Sequence, residues 1–178
     1  MRRTNVLCLA MILGAVSLPA RSQGDVAGVY DAVAESGADN CPLIVASRTD
    51  ASETSLGVAR AYAERLGLDD AMAKAFATAN EATRAINWKP VKLKVELVDV
   101  PPALESQEEL SLLRRMTSKH PCVHYILSLS AAARVGMDAM VKVNRFCGGL
   151  CGGGSDVVRL HFVGDHWRVV RWEELSID

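Results

Sequence analysis

Cys41, Cys122, Cys147 and Cys151 constrain this chain more than any other residues, because the segment ahead of them reads as an address to an oxidising compartment. Arg2 and Arg3 make a short basic start, and residues 6–18 are apolar, interrupted only by small residues. Leu18-Pro19-Ala20-Arg21-Ser22-Gln23-Gly24 then breaks the run beside small residues. Basic, then apolar, then small is the order of a secretory signal peptide. The apolar run, about 13 residues, falls short of the roughly 20 that cross a bilayer as a helix. Residues 1–22 therefore read as a signal peptide, cut after Ala20 or within the next four residues. Residues 25–178 read as one domain, with no membrane span once the signal is gone. Thr4-Asn5-Val6 give the arginine pair no strong twin-arginine character, and Cys8 lies too early in the run for lipid attachment. The expected product is soluble and exported, periplasmic or extracellular.

Removal of the signal discards Cys8 and leaves four cysteines, an even number that favours cross-links in an exported chain. Four cysteines allow three pairings. We favour Cys147–Cys151, which closes a tiny loop through Gly148-Gly149-Leu150, and by elimination Cys41–Cys122. The chain has 178 residues, 49% hydrophobic and 23% charged. That suits one domain, and a mature chain of about 155 residues buries most of its apolar surface unaided. Net charge is −1, and loss of the first 20 residues takes away two arginines and no acid, which makes it −3. Nucleic-acid binding needs a positive surface that releases counterions from phosphates. This composition supplies none, so no nucleic-acid partner is expected, and there is no polybasic membrane patch.

Val26, Val29, Tyr30 and Val33 stand at helical spacing within residues 25–35. Pro42-Leu43-Ile44-Val45-Ala46 reads as a buried strand. Residues 56–66 read as a helix stopped by Gly67. Asp69 or Asp70 caps a further helix that the alanine-rich stretch carries to about Ile86. Residues 91–97 alternate apolar and charged, as a half-buried strand does. Ser106 and Glu109 have capping-box spacing for a helix to about Ser118. Residues 123–129, 139–146, 157–163 and 167–172 read as strands, the last two joined by a tight turn at Gly164-Asp165. The expectation is an α+β fold: N-terminal helices packed on one face of a C-terminal antiparallel sheet of three to four strands.

Three segments carry candidate chemistry. The glycine-rich stretch from Cys147 to Ser155 resembles an anion cradle in composition, but no lysine follows the glycines and a strand comes next, unlike a phosphate loop. Cys147 and Cys151 could work as a thiol–disulfide pair. Such pairs are usually Cys-x-x-Cys at a helix start, where the dipole favours a thiolate. A tight connection clamped by a disulfide accounts for the same residues. In an extended segment His120, Cys122 and His124 point to one side, and two imidazoles with a thiolate are a copper or zinc ligand set. Pro121 disturbs that strand, and Cys122 is wanted for a cross-link. Adjacent acids at Glu108-Glu109 and Glu173-Glu174 point different ways and form no dyad. Ser128, Ser130 and Ser155 lack the context of a catalytic nucleophile. Trp167 and Trp172 are expected on opposite faces of one strand, one packed and one available to an edge or a partner.

Ser130-x4-Val135-Gly136-Met137, Ala139-Met140-Val141-Lys142-Val143, Cys147-Gly148-Gly149-Leu150-Cys151-Gly152 and His166-Trp167-Arg168-Val169-Val170 together form a pattern. It resembles a loose group of uncharacterised bacterial secreted proteins and lipoproteins over residues 125–172. This chain departs from it in having Met137 in place of an aromatic, Asp165-His166 in the turn, and no lipobox. The resemblance implies export and an α+β build, and no activity. The functional expectation is a disulfide-bonded, non-catalytic binding domain with a protein or envelope partner and no cofactor. The alternatives are a copper or zinc protein using His120, Cys122 and His124, and a thiol–disulfide oxidoreductase using Cys147 and Cys151.

Overall fold

The computed structural model of the chain describes residues 24–36, 41–90, 92–100, 106–147 and 153–177. The signal segment and Cys151 lie outside the described residues. The elements run α1 (Gly24–Ser36), β1 (Leu43–Ala46), α2 (Leu56–Arg65), α3 (Asp70–Ala79), β2 (Val95–Val98), α4 (Ser106–Lys119), β3 (Ile126–Leu129), β4 (Ala133–Val135), β5 (Asp138–Phe146), β6 (Gly154–Val163) and β7 (His166–Ile177). Among the described residues one sheet holds all seven strands, in the order β2-β1-β3-β5-β6-β7, and β4 follows β3 along the same side of β5.

An α+β composition is what the structure shows. The arrangement expected from the sequence needs correction in three respects. The sheet has seven strands, not three or four. It is mixed, because β1 pairs parallel with both β2 and β3 while the rest is antiparallel. Helices cover both faces. Local alternation identifies a strand but not its neighbour, and parallel pairing needs a long crossover that leaves no mark near the strand itself.

Alternation along β5 explains the layers. Ala139, Val141 and Val143 join Leu43, Val45, Leu127 and Leu160 in a core covered by Val29, Tyr30 and Val33 of α1. Burying one such side chain stabilises by about 1.5–3 kcal/mol. Helix α1 lies close to the sheet at Gly28, where a Cβ would stand 3.2 Å from Trp167 Cδ1. The opposite face of β5 presents Met140, Lys142, Asn144 and Phe146 in turn. Met140 and Val157 pack under α2 and α3. Phe146 packs beside Ile44 and Ile126 under Leu112 and Leu113 of α4. Lys142 and Asn144 lie between these two apolar halves.

The β6–β7 turn is where the sequence places it, with Gly164 at φ 67° and Val163 opposite His166. The tryptophans differ from expectation. Val169 pairs with Leu160 and Arg171 with Arg159, so Val170 is an extra residue that reverses the parity of the strand. Trp167 and Trp172 therefore face the same side. Trp167 is buried, and Trp172 is 38% exposed near the margin.

Helix α3 begins as expected, with Asp69 Oδ1 accepting from Met72 N at 3.0 Å. It stops at Ala79, not near Ile86. Asn80 ends it. Its side-chain Nδ2 donates to Phe76 O (2.9 Å) and Ala131 O (3.0 Å), and its Oδ1 accepts from Ala131 N (2.7 Å). This residue is 1% exposed. Ile86 and Trp88 can then cross to the α1 core, where Trp88 Nε1 donates to Asp31 Oδ1 at 2.9 Å. Asn80→Ala should lower the unfolding free energy by about 1–3 kcal/mol, since it takes the acceptor from the part-buried Ala131 N–H and leaves Ala131 O only the longer bond from Ser130 Oγ (3.3 Å). Urea unfolding with an unchanged slope measures this, and a loss under about 1 kcal/mol would contradict the role given to Asn80.

Candidate functional site

A polar cluster built around one buried lysine lies in the strip between the two helix-covered halves. Lys142 is brought there by β5 and is 1% exposed. The chain leaving β1 turns over it: Asp50 N donates to Leu129 O at 2.8 Å, which holds that loop beside the end of β3. Ser52 N donates to Asp50 Oδ1 at 2.8 Å, a local turn that asparagine and aspartate favour. Thr54 Oγ1 donates to Ala51 O (2.8 Å) and to Asn80 O (3.2 Å), which fixes the far end of the loop on α3.

The Lys142 ammonium points into this loop. Its Nζ donates to Glu53 Oε2 (3.0 Å), Ser52 O (3.2 Å) and Ser52 Oγ (3.4 Å), and lies 3.9 Å from Asp50 Oδ2. An ammonium has three donors, and these partners occupy them. Asp50 Oδ2 also accepts from Asn144 Nδ2, and Asn144 Oδ1 accepts from Ser155 Oγ at 2.6 Å. Ser130 Oγ accepts from Lys142 N at 2.8 Å, and Ser130 O accepts from the Tyr30 hydroxyl at 3.0 Å. A chain of hydrogen bonds thus passes from α1 through the sheet to the loop.

Glu53 has φ 51° and is the only non-glycine residue with positive φ among the described residues. Its side chain is 67% exposed, so the carboxylate reaches inward from the solvent boundary. The left-handed region costs such a residue about 1–2 kcal/mol, and the grip on Lys142 holds it there. Two carboxylates surround one ammonium, so the cluster carries a net negative charge and does not favour an anion. A lysine whose Nζ is fully engaged by its own loop is no free nucleophile. The arrangement is a clamp.

Tyr62 of α2 borders the same cluster. Burial, and after it the negative charge of Glu53, push its phenol up to about 12, against the opposing pull of Arg65. Burial raises Tyr30 to about 12 as well, although a backbone hydrogen bond at Ala132 works the other way.

The residues singled out in the sequence fall elsewhere. Cys41 and Cys122 form a disulfide with a Cα separation of 5.9 Å. The Cys122 sulfur is therefore not a free thiolate ligand. His120 Nε2 lies 3.1 Å from Glu96 Oε2, and His124 is exposed. Lys119, and then His120, hold the Glu96 carboxyl below its ordinary range. Among the described residues no three His, Cys, Asp or Glu side chains are grouped to hold a metal. Cys147 is buried and disulfide-bonded, with its partner outside the described residues. No described hydrogen bond joins a serine hydroxyl to a histidine. Glu173 Oε1 accepts from Arg171 Nε at 2.7 Å, Glu174 is exposed, and the side chains of Glu108 and Glu109 lie outside the described residues. The sequence reading missed Lys142, Asp50, Glu53 and Asn80. One signal was present: a single lysine inside the otherwise apolar run Ala139-Met140-Val141-Lys142-Val143.

Two measurements check this description. Glu53→Gly and Glu53→Ala both remove the carboxylate and differ mainly in tolerance of positive φ. The glycine variant should be the more stable by about 1 kcal/mol. An alanine variant of equal or greater stability would contradict the strain. The tyrosines predict the alkaline limb of stability. Each phenol ionises near 10 when unfolded and near 12 when folded, so the unfolded chain releases protons first. Their stabilising effect should be complete below pH 10 and lost between pH 10 and 12. Absorbance at 295 nm, read beside denaturation curves, should show two late-ionising phenols, and their ionisation by pH 10 in the folded protein would contradict the burial.

No family model, curated protein or solved structure matches this chain.

Proposed function

We propose that this chain is an exported, disulfide-bonded α+β domain of the periplasmic or extracellular space that works by binding, not by catalysis. The observation that carries the reading is how the interior polar groups are used. The Lys142 ammonium, Asp50, Asn144, Ser130 and Asn80 are all engaged in bonds that position loops and strands. The buried Asp156 is likewise turned to the protein's own Arg145, at 2.7 Å, and these groups serve the fold before any substrate.

Export is supported by the order of the first 24 residues and by the Cys41–Cys122 cross-link, which is at home in an oxidising compartment. No helix among the described residues is long and apolar enough to cross a membrane. The expected partner is a protein or another envelope component that meets the sheet or the glycine-rich connection after β5. The low net charge speaks against nucleic acid.

Non-reducing peptide mapping of protein purified from its host tests the compartment. It should yield a new N-terminus between residues 21 and 25, a Cys41–Cys122 peptide, a Cys147–Cys151 peptide and no alkylatable thiol. Residue 1 still attached, with reactive sulfurs, would remove the basis for export. Immobilised mature protein should retain a specific component of envelope extract and show no insulin reduction. Failure to retain any component would count against the binding role, and turnover of insulin would replace it with thiol chemistry.

A further inference from the structure

Strand β7 is the longest strand among the described residues, at 12 residues, and forms one edge of the sheet, with β6 on its inner side. An open edge offers unpaired backbone groups to another strand, and native proteins commonly guard such edges with bulges. Here Val170 and Leu175 are left without an opposite number on β6. Between them, residues 171–174 form a regular run. At its far end Arg65 Nη1 donates to Glu174 O at 3.3 Å, which closes the edge beyond that point.

The run has a charge gradient. Arg168 and Arg171 lie on its N-terminal side, and Glu173 and Glu174 on its C-terminal side. An antiparallel copy of the same strand would set each basic half against the other's acidic half. The pleat restricts the register further, because directly opposed residues share a face. A symmetric pair must therefore be centred on a residue, not between two. A centre at Arg171 opposes two arginines, and a centre at Glu173 opposes two glutamates. A centre at Trp172 opposes Trp172 with Trp172 on one face and Arg171 with Glu173, twice, on the other, so that the Arg171–Glu173 pair already closed within each strand at 2.7 Å becomes an alternating cluster of four charges. Trp172 is 38% exposed and Val170 beside it 53%, so apolar surface is present at the same place.

We propose that β7 pairs antiparallel with β7 of a second copy of this chain, about a two-fold axis through Trp172. The contact is self-complementary and closes at two copies, as an isologous interface does. It joins two sheets into one through the edge. The ionic pairs are solvent-exposed, so salt screens them and the association weakens as ionic strength rises. The pairing depends on the edge strand alone and takes from the reading above only where the mature chain begins.

Charge reversal tests the register. The full mature chain should sediment at twice the monomer mass and dissociate on dilution. Arg171→Glu alone and Glu173→Arg alone each place like charges across the axis and should sediment as monomers. An equimolar mixture of the two restores opposite charges at both positions and should return to twice the monomer mass. Misfolding of either variant would not be repaired by mixing. A wild-type chain that stays monomeric at about 1 mM, where even contacts near −4 kcal/mol would show, overturns the proposal. So do single variants that dimerise as well as wild type, a mixture that remains monomeric, and a foreign peptide that occupies β7 of a chain which never self-associates.

Discussion

The burial of one ammonium group organises much of this molecule. Lys142 stands in the middle of a strand whose neighbours are apolar, on a face otherwise covered by helices. A charge cannot remain there without opposite charge and hydrogen bonds, because the cost of removing it from water is several kcal/mol. Asp50, Ser52 and Glu53 supply both. The loop after β1 must therefore fold over the sheet, and the core on that face is divided in two. Glu53 adopts a backbone conformation unfavourable to its type in order to complete the cluster.

Asn80, Ser130 and Tyr30 extend this polar skeleton. Asn80 stops α3 and ties it to Ala131, at the break between β3 and β4. Ser130 occupies that break, accepts the Lys142 amide and offers its carbonyl to Tyr30 on the opposite side of the sheet. The two faces of the sheet are thus joined through one interruption in one strand. Such buried networks stabilise only when every member has a partner. That makes them specific and intolerant of substitution.

The Cys41–Cys122 bond acts on a different weakness. β1 and β3 are parallel neighbours with a single registered pair, Val45 with Leu127. The cross-link joins the entry of β1 to the turn ahead of β3, 81 residues away. Closing so long a loop removes about 4 kcal/mol of chain entropy from the unfolded state in the loop-entropy account. Parallel pairing of distant segments is slow to form, and a cross-link at its margin favours the native neighbours. Nearby, Lys119 pairs with Glu96 at the surface and His120 Nε2 lies 3.1 Å from the same carboxylate, a smaller contribution.

The sequence by itself determined those features that depend on near neighbours. The helix ended by Gly67, the Asp69 cap, the β6–β7 turn at Gly164 and the strand character of residues 43–46 and 139–146 all follow from local spacing or backbone freedom. Their physical cause lies within a few residues, so the pattern is visible in one dimension. The end of α3 was not legible, because alanine propensity favours continuation and only a bond to Ala131, 51 residues away, overrules it. The parallel order of β2, β1 and β3 was hidden for the same reason, and so was the bulge at Val170 that turns Trp172 to the side of Trp167. Lys142 shows the division most clearly. Its place in an apolar strand was written in the sequence, but its partners Asp50 and Glu53 lie about 90 residues earlier, and electrostatic partnership at that distance along the chain is decided only when folding brings the loop over the sheet.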